Sequence, residues 1–329
     1  MLLGAEMAAA ATALRGYPIA SLGQNCATGP VEMQEHVAHL ASQWDRPISV
    51  VPNAGLPVLD EGKTSFPLRP KPMAETLEKF VREYGVRILG GCCGTSPDHI
   101  AALREVLDGI QGAPGSPLIA DEREVVVVHG CTSGYSHVDY EQENSFLIVG
   151  ERMNASGSRR FKRLLESEDW DEIVSLAREQ IREGSNVLDV NVDYAGRDNA
   201  ADMAEIVRRV VTQVDAPLKI DSTQVATIEA GLKHAPGKSL INSANFEDGE
   251  EKFDLVCELA RTYGAGLVIG TIDEDEEAAM ARTADRKFAI AARAIERATT
   301  VHGLAVEDIL IDPLVLPIST GMDLSLIHI

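Results

Sequence analysis

After residue 145 short apolar runs of about five residues recur, each ending in or followed by Glu, Asp, Asn or Gly: FLIVG (146–150), NVLDV (186–190), PLKID (217–221), SLINS (239–243), GLVIG (266–270) and DILID (308–312). Helical segments separate them. Wholly apolar strands divided by helices are the pattern of parallel βα units, in which both faces of the sheet are covered. Parallel pairing carries the polar residue that closes each run to one rim, which in a (β/α)8 barrel is the active-site face. Six runs are visible here, whereas a closed barrel has eight strands.

The same rhythm appears before residue 110 in three runs only, PIASLG (18–23), PISVV (47–51) and VRILG (86–90). Polar or cysteine positions follow each: Asn25 and Cys26, Asn53, then Gly91, Cys92 and Cys93. TSPDHIAALREVL predicts a helix start, with Ser96 as N-cap, Pro97 in the first turn and Asp98 favoured by the helix dipole. Between the two halves, GAPGSP, DERE and the aperiodic GYSHVDYEQEN read as a linker, in which Val125 to Val128 are a candidate short strand. The expected fold class is α/β: two (β/α)8 TIM-type barrels in tandem, both incomplete in this chain. Their expected bounds are 1–110 for the end of the first barrel, 111–144 for the linker and 145–329 for the second, truncated after its sixth strand.

A length of 329 residues admits about two domains, and with 45% apolar but only 5% aromatic residues the core must rest on Val, Ile, Leu and Ala. The formal charge of −21 argues against a nucleic-acid or anionic-membrane partner, because phosphate binding needs clustered Lys and Arg. The acidic runs Glu247 to Glu251 and Asp273 to Glu277 read as solvated surface. No apolar run reaches the ~20 residues that span a bilayer. The Ala-rich start carries Glu6 and no basic opening, so it reads as the tail of a barrel helix rather than a signal peptide. The five cysteines form no disulfide framework, and a reducing cytoplasm fits them.

Cys26, Cys92 and Cys93 lie just past strands that are near neighbours in a closed barrel, so they can converge on one point at its rim. Three thiolates with an open fourth position make a catalytic zinc arrangement, since structural sites usually fill all four. The alternative from spacing alone is a buried Cys26 and an incidental Cys92–Cys93 pair. The glycines of GGCCGTSPDHI allow the backbone to turn tightly around a metal and then enter a helix. Cys131, Cys257 and His99 read as structural or solvent-facing.

GQNCATGP, VPNAGLP and GGCCGTSPDHI together resemble the closing part of the homocysteine S-methyltransferase domain, over roughly residues 15 to 110. That resemblance implies that Cys26, Cys92 and Cys93 hold zinc and that the zinc binds the homocysteine thiol as a thiolate. In the second half GERMNASGS (150–158), DVNVD (189–193), KIDST (219–223), INSAN (241–245) and IDP (311–313) resemble the pterin-binding domain of cobalamin-dependent methionine synthases. The likeness to corrinoid methyltransferases and dihydropteroate synthases is looser. It implies that Asp221, Asn242 and Asp312 hydrogen-bond a pterin, with Glu151, Asn154 and Asp189 shaping the pocket.

A pterin edge carries donors and acceptors much like guanine, so carboxylates and amides at strand ends suit it. Any single one of these acids has a plainer reading as a strand-end cap or salt-bridge partner. N5 of 5-methyltetrahydrofolate is a tertiary amine and a poor leaving group until it gains a proton or a strong hydrogen bond, for which Asp221 with Asn242 are the candidate catalytic core. ASGS with Arg159, Arg160 and Lys162 lacks the GxxxxGK[ST] order of a phosphate loop and reads as surface, with a folate glutamate tail as the rival.

The implied activity is methyl transfer from 5-methyltetrahydrofolate through cobalamin to homocysteine, giving methionine and tetrahydrofolate. The implied cofactors are zinc and a cobalamin held by a domain outside this chain. Two other readings stay open: a stand-alone methyltetrahydrofolate:corrinoid protein methyltransferase, and a non-catalytic folate- and zinc-binding module. The end, LSLIHI after ISTGMD, matches nothing expected in the family, so the chain reads as a fragment that is inactive alone.

Overall fold

The computed structural model describes residues 4–60, 62–110, 123–275 and 279–315. By its contacts the chain forms two units, one from Pro18 to Val128 and the other from the residues up to Tyr17 together with His129 onward. GAPGSP of the expected linker and the final LSLIHI lie outside the described residues. Helix α1 (Met7–Arg15) precedes the first unit in sequence but belongs to the second.

The first unit contains β1 (Leu22–Asn25), α2 (Pro30–Gln43), β2 (Ile48–Val51), the antiparallel pair β3 (Val58–Asp60) and β4 (Lys63–Ser65), α3 (Pro70–Tyr84), β5 (Ile88–Leu89) and α4 (Pro97–Ile110). The three strands expected from the apolar runs form one parallel sheet in the order β1-β2-β5. Proline opens α2 and α3, where its missing N–H costs nothing, and Gly85 ends α3 in the left-handed conformation at φ 66°. Met33, Val37, Leu40 and Ala41 make one buried stripe on α2, while Met73, Leu77, Phe80 and Val81 make another on α3. His99 is part of the start of α4: its Nδ1 accepts from the Ser96 N–H at 3.1 Å and its Nε2 donates to the Leu68 carbonyl at 2.9 Å. Val125 to Val128 form no strand. They run beside the end of α2, with the Val126 N–H donating to the Ser42 carbonyl.

The second unit continues with β6 (Gly130–Thr132), β7 (His137–Asp139), β8 (Val149–Asn154), α5 (Arg159–Glu166), α6 (Trp170–Arg182), β9 (Val187–Asn191), α7 (Asn199–Val210), β10 (Leu218–Asp221), α8 (Val225–Leu232), β11 (Leu240–Ala244), α9 (Gly249–Tyr263), β12 (Gly266–Gly270), α10 (Ala284–Thr300) and β13 (Ile309–Asp312). All six strands from β8 to β13 pair in parallel, in the unbroken sequence order β13-β12-β11-β10-β9-β8. Outward residues such as Val190, Ile220 and Ile241 join Met203, Val207, Phe253 and Ala294 of the helices in the main core. Phe146 and Ile148, expected inside the first strand, instead lie exposed ahead of it.

The segment read as linker contains the β6–β7 hairpin, which no apolar run announced. Cys131 of β6 packs with Val187 and Leu240, beside Tyr140, Val149 and Leu310, and so fills the space between the first residues of several sheet strands. Helix α1 sits on this hairpin: the Glu6 N–H donates to the Tyr135 carbonyl at 2.7 Å, and Thr12 Oγ1 lies 2.9 Å from His137 Nδ1. These contacts move the boundary of the second unit upstream of residue 145 and draw the chain start into it. The Cys131 thiol is buried and pushed up to about 12 by desolvation, which marks it as a packing residue.

Gly231 brings α8 against β10. A Cβ there would lie 2.8 Å from Ile220 Cγ2 and 3.0 Å from Met203 Cγ, inside ordinary contact distance. Gly231→Leu should therefore lower the unfolding free energy by about 1–3 kcal/mol through overpacking, measured by urea denaturation. An unchanged midpoint would show that the helix is free to shift away.

Candidate functional site

The cysteine site is built by three turns of the first unit. Cys26 leaves β1 with φ 62° and Ala27 follows at the same angle, a left-handed pair that non-glycine residues adopt only when held there. The holding bonds are Cys26 N–H to the Val51 carbonyl at 2.9 Å and Thr28 N–H to the Cys26 carbonyl at 2.7 Å. Past β5, the Cys92 N–H donates to the Pro52 carbonyl at 2.8 Å, and the Cys93 N–H donates to Asn53 Oδ1 at 3.1 Å. Gly94 then turns at φ 78°, with the Phe66 side chain where a Cβ would stand.

The outcome is that the sulfurs of Cys26, Cys92 and Cys93 all lie within 4.8 Å of one another, with Cys26–Cys93 at 3.7 Å and Cys92–Cys93 at 3.8 Å. A tetrahedral centre with zinc–sulfur bonds of about 2.3 Å has sulfur–sulfur edges of about 3.8 Å, so the donor set fits a zinc ion. The electrostatics agree. The Ala27 backbone N–H, with help from the neighbouring thiols, draws the Cys26 thiol below its ordinary range, whereas hydrogen bonds to Cys26 and Cys92 push Cys93 up to about 11. A bound cation would stabilise the thiolate form of its sulfur ligands. Asn53, 4% exposed, was visible in VPNAGLP only as a polar residue after a strand; its support of Cys93 needed the fold.

In the second unit four of the six expected pterin residues form one connected network. The Asn154 Nδ2 donates to Asp189 Oδ2 at 3.4 Å and to Asp221 Oδ2 at 3.3 Å. Its Oδ1 accepts from the N–H groups of Ser156 and Gly157 at 3.0 and 2.9 Å, so the ASGS turn wraps the Asn154 amide. Lys219 Nζ stands 3.2 Å from Asp189 Oδ1 and 3.3 Å from Glu151 Oε1. Arg160 pairs with Glu172 and Glu179, and Lys162 lies 4.4 Å over the Tyr194 ring, so these two basic residues of α5 are engaged at the surface.

Asn242 is opposite Asp221 in the β10–β11 register, and both line a cavity of about 300 Å³ with Ser222, Thr223, Asn245 and Lys252. Asp312 is not brought into the network. It ends β13, three strands away from β10, and its Oδ1 accepts the Leu314 N–H at 2.7 Å. Both register shifts in the sheet fall at site residues, one between Gly150 and Met153 around Glu151, the other between Asn242 and Ala244. Such bulges turn side chains off the regular alternation. Asp193, quoted only as part of DVNVD, accepts from Ser222 Oγ at 2.6 Å and from the Thr223 N–H at 2.8 Å, fixing the loop that follows Asp221.

Burial dominates the charge states. It raises Asp189 to about 6 against the pull of Lys219, and raises Asp221 to about 7, with the Asp189 charge adding to the effect. Desolvation acts to depress Lys219, but the facing Asp189 and Glu151 more than reverse it and hold the ammonium above its usual range.

Two families of known proteins match the chain, one over the residues of each site. The family described as homocysteine S-methyltransferase matches residues 1–107, and the family described as pterin binding enzyme matches residues 150–325. The methionine synthase of Mycobacterium tuberculosis is 41% identical over 326 residues, which is 98% of this chain and 26% of that protein. That of Mycobacterium leprae is 40% identical over the same shares. The chain thus spans about a quarter of the length of these relatives. Among solved structures, a dihydropteroate synthase from Xanthomonas albilineans aligns with a TM-score of 0.42 at 15% identity, over 57% of this chain and 65% of that one. Among the described residues no helix is long and apolar enough to cross a membrane.

The raised carboxyls have a consequence for stability. A folded Asp221 near 7 binds its proton more tightly than an unfolded one near 4, so its contribution is fully present below about pH 4 and is lost as pH rises through about 7. Asp221→Asn should raise the thermal midpoint at pH 8 and leave it nearly unchanged at pH 4. A shift of equal size at both pH values would mean that Asp221 is not desolvated in the folded chain.

Proposed function

We propose, for a chain that belongs to the pterin binding enzyme family through residues 150–325, that it carries two consecutive sites of a cobalamin-dependent methionine synthase. One is a thiolate zinc site for homocysteine and the other a pterin site for 5-methyltetrahydrofolate, with the methyl group passing between them by way of cobalamin. In this reading the two units are portions of successive (β/α)8 barrels. Cobalamin enters as the methyl carrier, and no residue of this chain is assigned to hold it. The supporting observation is the presence on one chain of three sulfurs within 4.8 Å and a buried carboxylate–amide network at parallel strand ends.

Cys26, Cys92 and Cys93 would hold the zinc. When bound, zinc supplies a Lewis-acidic centre at which a substrate thiol ionises at neutral pH and becomes a nucleophile. Asn53 and the Cys26–Ala27 turn keep the three sulfurs together before any ligand arrives, so little ordering remains for binding to supply.

On the pterin side, the carboxylates and amides of Asp189, Asn154, Asp221 and Asn242 would accept from and donate to the ring edge, with Asp312 approaching from the far strand. Loss of the methyl from N5 needs a proton or a strong hydrogen bond on that nitrogen. Asp221, raised to about 7, holds a proton near neutrality, which suits it to feed such a network, and Asn242 beside it adds a neutral amide.

Asp221→Ala should weaken methyltetrahydrofolate binding by about 5- to 150-fold, since a buried polar group of the ring loses its hydrogen-bond partner at ~1–3 kcal/mol; titration calorimetry reads it directly. Asn242→Ala should depress the rate of methyl transfer to cobalamin more than it weakens binding.

Cys93→Ser should remove most of the zinc measured by metal analysis, because a serine hydroxyl that stays protonated near neutral pH is a poor substitute for thiolate. In the full-length protein it should abolish homocysteine methylation and leave methyl transfer from methyltetrahydrofolate to cobalamin near normal. Full zinc occupancy in Cys26→Ser and Cys93→Ser would refute the ligand set, and loss of both half-reactions together would make the cysteines structural.

A further inference from the structure

Lys219 is a buried cation in the middle of a strand whose neighbouring inward positions are acidic. Ile220 points outward to Gly231 of α8, so the alternation of β10 puts Lys219 and Asp221 together on the inner face. The Lys219 side chain is 11% exposed and the Asp189 side chain it contacts is 1% exposed. An ion pair this deep is a poor way to hold two strands together, because well-packed apolar residues in its place are often neutral or stabilising. The pair instead borders the Asn154–Asp189–Asp221 network.

The charged groups that meet there are Glu151 from β8, Asp189 from β9, Asp193 from the loop after it, and Lys219 and Asp221 from β10, with the amides of Asn154 from β8 and Asn191 from β9 bonded among them. Asn242 from β11 is uncharged. Arg152, next to Glu151, turns instead to Glu179 and Glu183. The site thus holds four acids and one ammonium, and that ammonium touches two of the acids, Asp189 and Glu151.

The geometry points to Lys219 as a positioning residue of the pterin site, an inference that rests on the function proposed above. It ties down Oδ1 of Asp189, so that Oδ2, linked through the Asn154 amide to Asp221 on the cavity wall, is kept as a fixed anionic acceptor for the ring edge. An amino group and a ring N–H both donate, so they need an anion; a protonated acid would turn an O–H against one of them. Burial works toward protonating Asp189, and the ammonium opposes it. Within the sequence motif KIDST the lysine therefore acts through Asp189, one strand away, rather than on the ligand.

The test uses the full 329-residue chain with Lys219→Met and Lys219→Gln, which remove the charge while keeping an extended side chain, and Lys219→Arg, which restores it. The Asp189 carboxyl is titrated by carbon-13 NMR, and 5-methyltetrahydrofolate binding is measured by calorimetry from about pH 5 to about pH 8. The neutral variants should move the Asp189 midpoint up by about one unit or more. The acid limb of the binding profile should move with it, so that affinity is about tenfold weaker near pH 5, less so at neutral pH, and recovers as pH rises further. Lys219→Arg should return both toward wild type. An unmoved Asp189 midpoint, or an affinity lowered by the same factor at every pH, overturns the inference and makes Lys219 merely structural. A wild-type chain that binds no methyltetrahydrofolate at any pH overturns the proposed function and the ligand named here, while the NMR titration still decides whether Lys219 controls Asp189.

Discussion

Every strand from β8 to β13 runs in the same direction beside its sequence neighbour, and the remaining features of the second unit follow from that pairing. Parallel neighbours deliver their last residues to one rim, and strand alternation divides each strand between two environments. On β10 this means that Ile220 meets the helices while Lys219 and Asp221 meet the other strands. A shift of one residue would send two charges into the apolar layer and one isoleucine into the site. The register is fixed as firmly by the cost of burying those charges unpaired as by the apolar contacts.

The two units handle ionisable groups by opposite means. In the second, acids are taken out of water and their charge is managed by one ammonium and several amides, which raises carboxyl groups toward neutrality. In the first, the three sulfurs remain near solvent, and what is unusual is their crowding and the left-handed backbone at Cys26 and Ala27 that produces it. Desolvation tunes one site and proximity tunes the other. A cation would relieve the crowding directly, whereas the carboxylate network is already balanced by groups of its own chain.

Much of this was legible in the residues. Alternating apolar runs located the parallel strands because a strand buried on both faces must be apolar throughout, and the polar residue closing each run marked the rim. Three cysteines after two strands announced a convergence that the fold produces. Asp312 shows the limit: its place at a strand end was readable, but its distance from Asp221 depends on strand order and on the turn its own carboxylate caps. Lys219 was unreadable as a site residue, since a lysine next to an apolar stretch looks like a strand terminus until its partners on β8 and β9 are known. The β6–β7 hairpin escaped for another reason. Its three-residue strands are too short to show a period, and Cys131 and Tyr140 owe part of their apolar surroundings to the distant Val187, Leu240 and Leu310.

The seating of α1 on that hairpin bears on how the chain assembles as it leaves the ribosome. Thr12 and His137 are 125 positions apart, and at synthesis rates of about 5–20 residues per second the helix waits on the order of ten seconds for its partner. During that interval the whole of the cysteine-bearing unit, Pro18 to Val128, is made. An apolar helix left unpartnered for so long would invite association with other nascent chains. The face that α1 eventually buries consists of Ala9, Ala11 and Thr12, small side chains with little surface for a chaperone or a neighbour to grip.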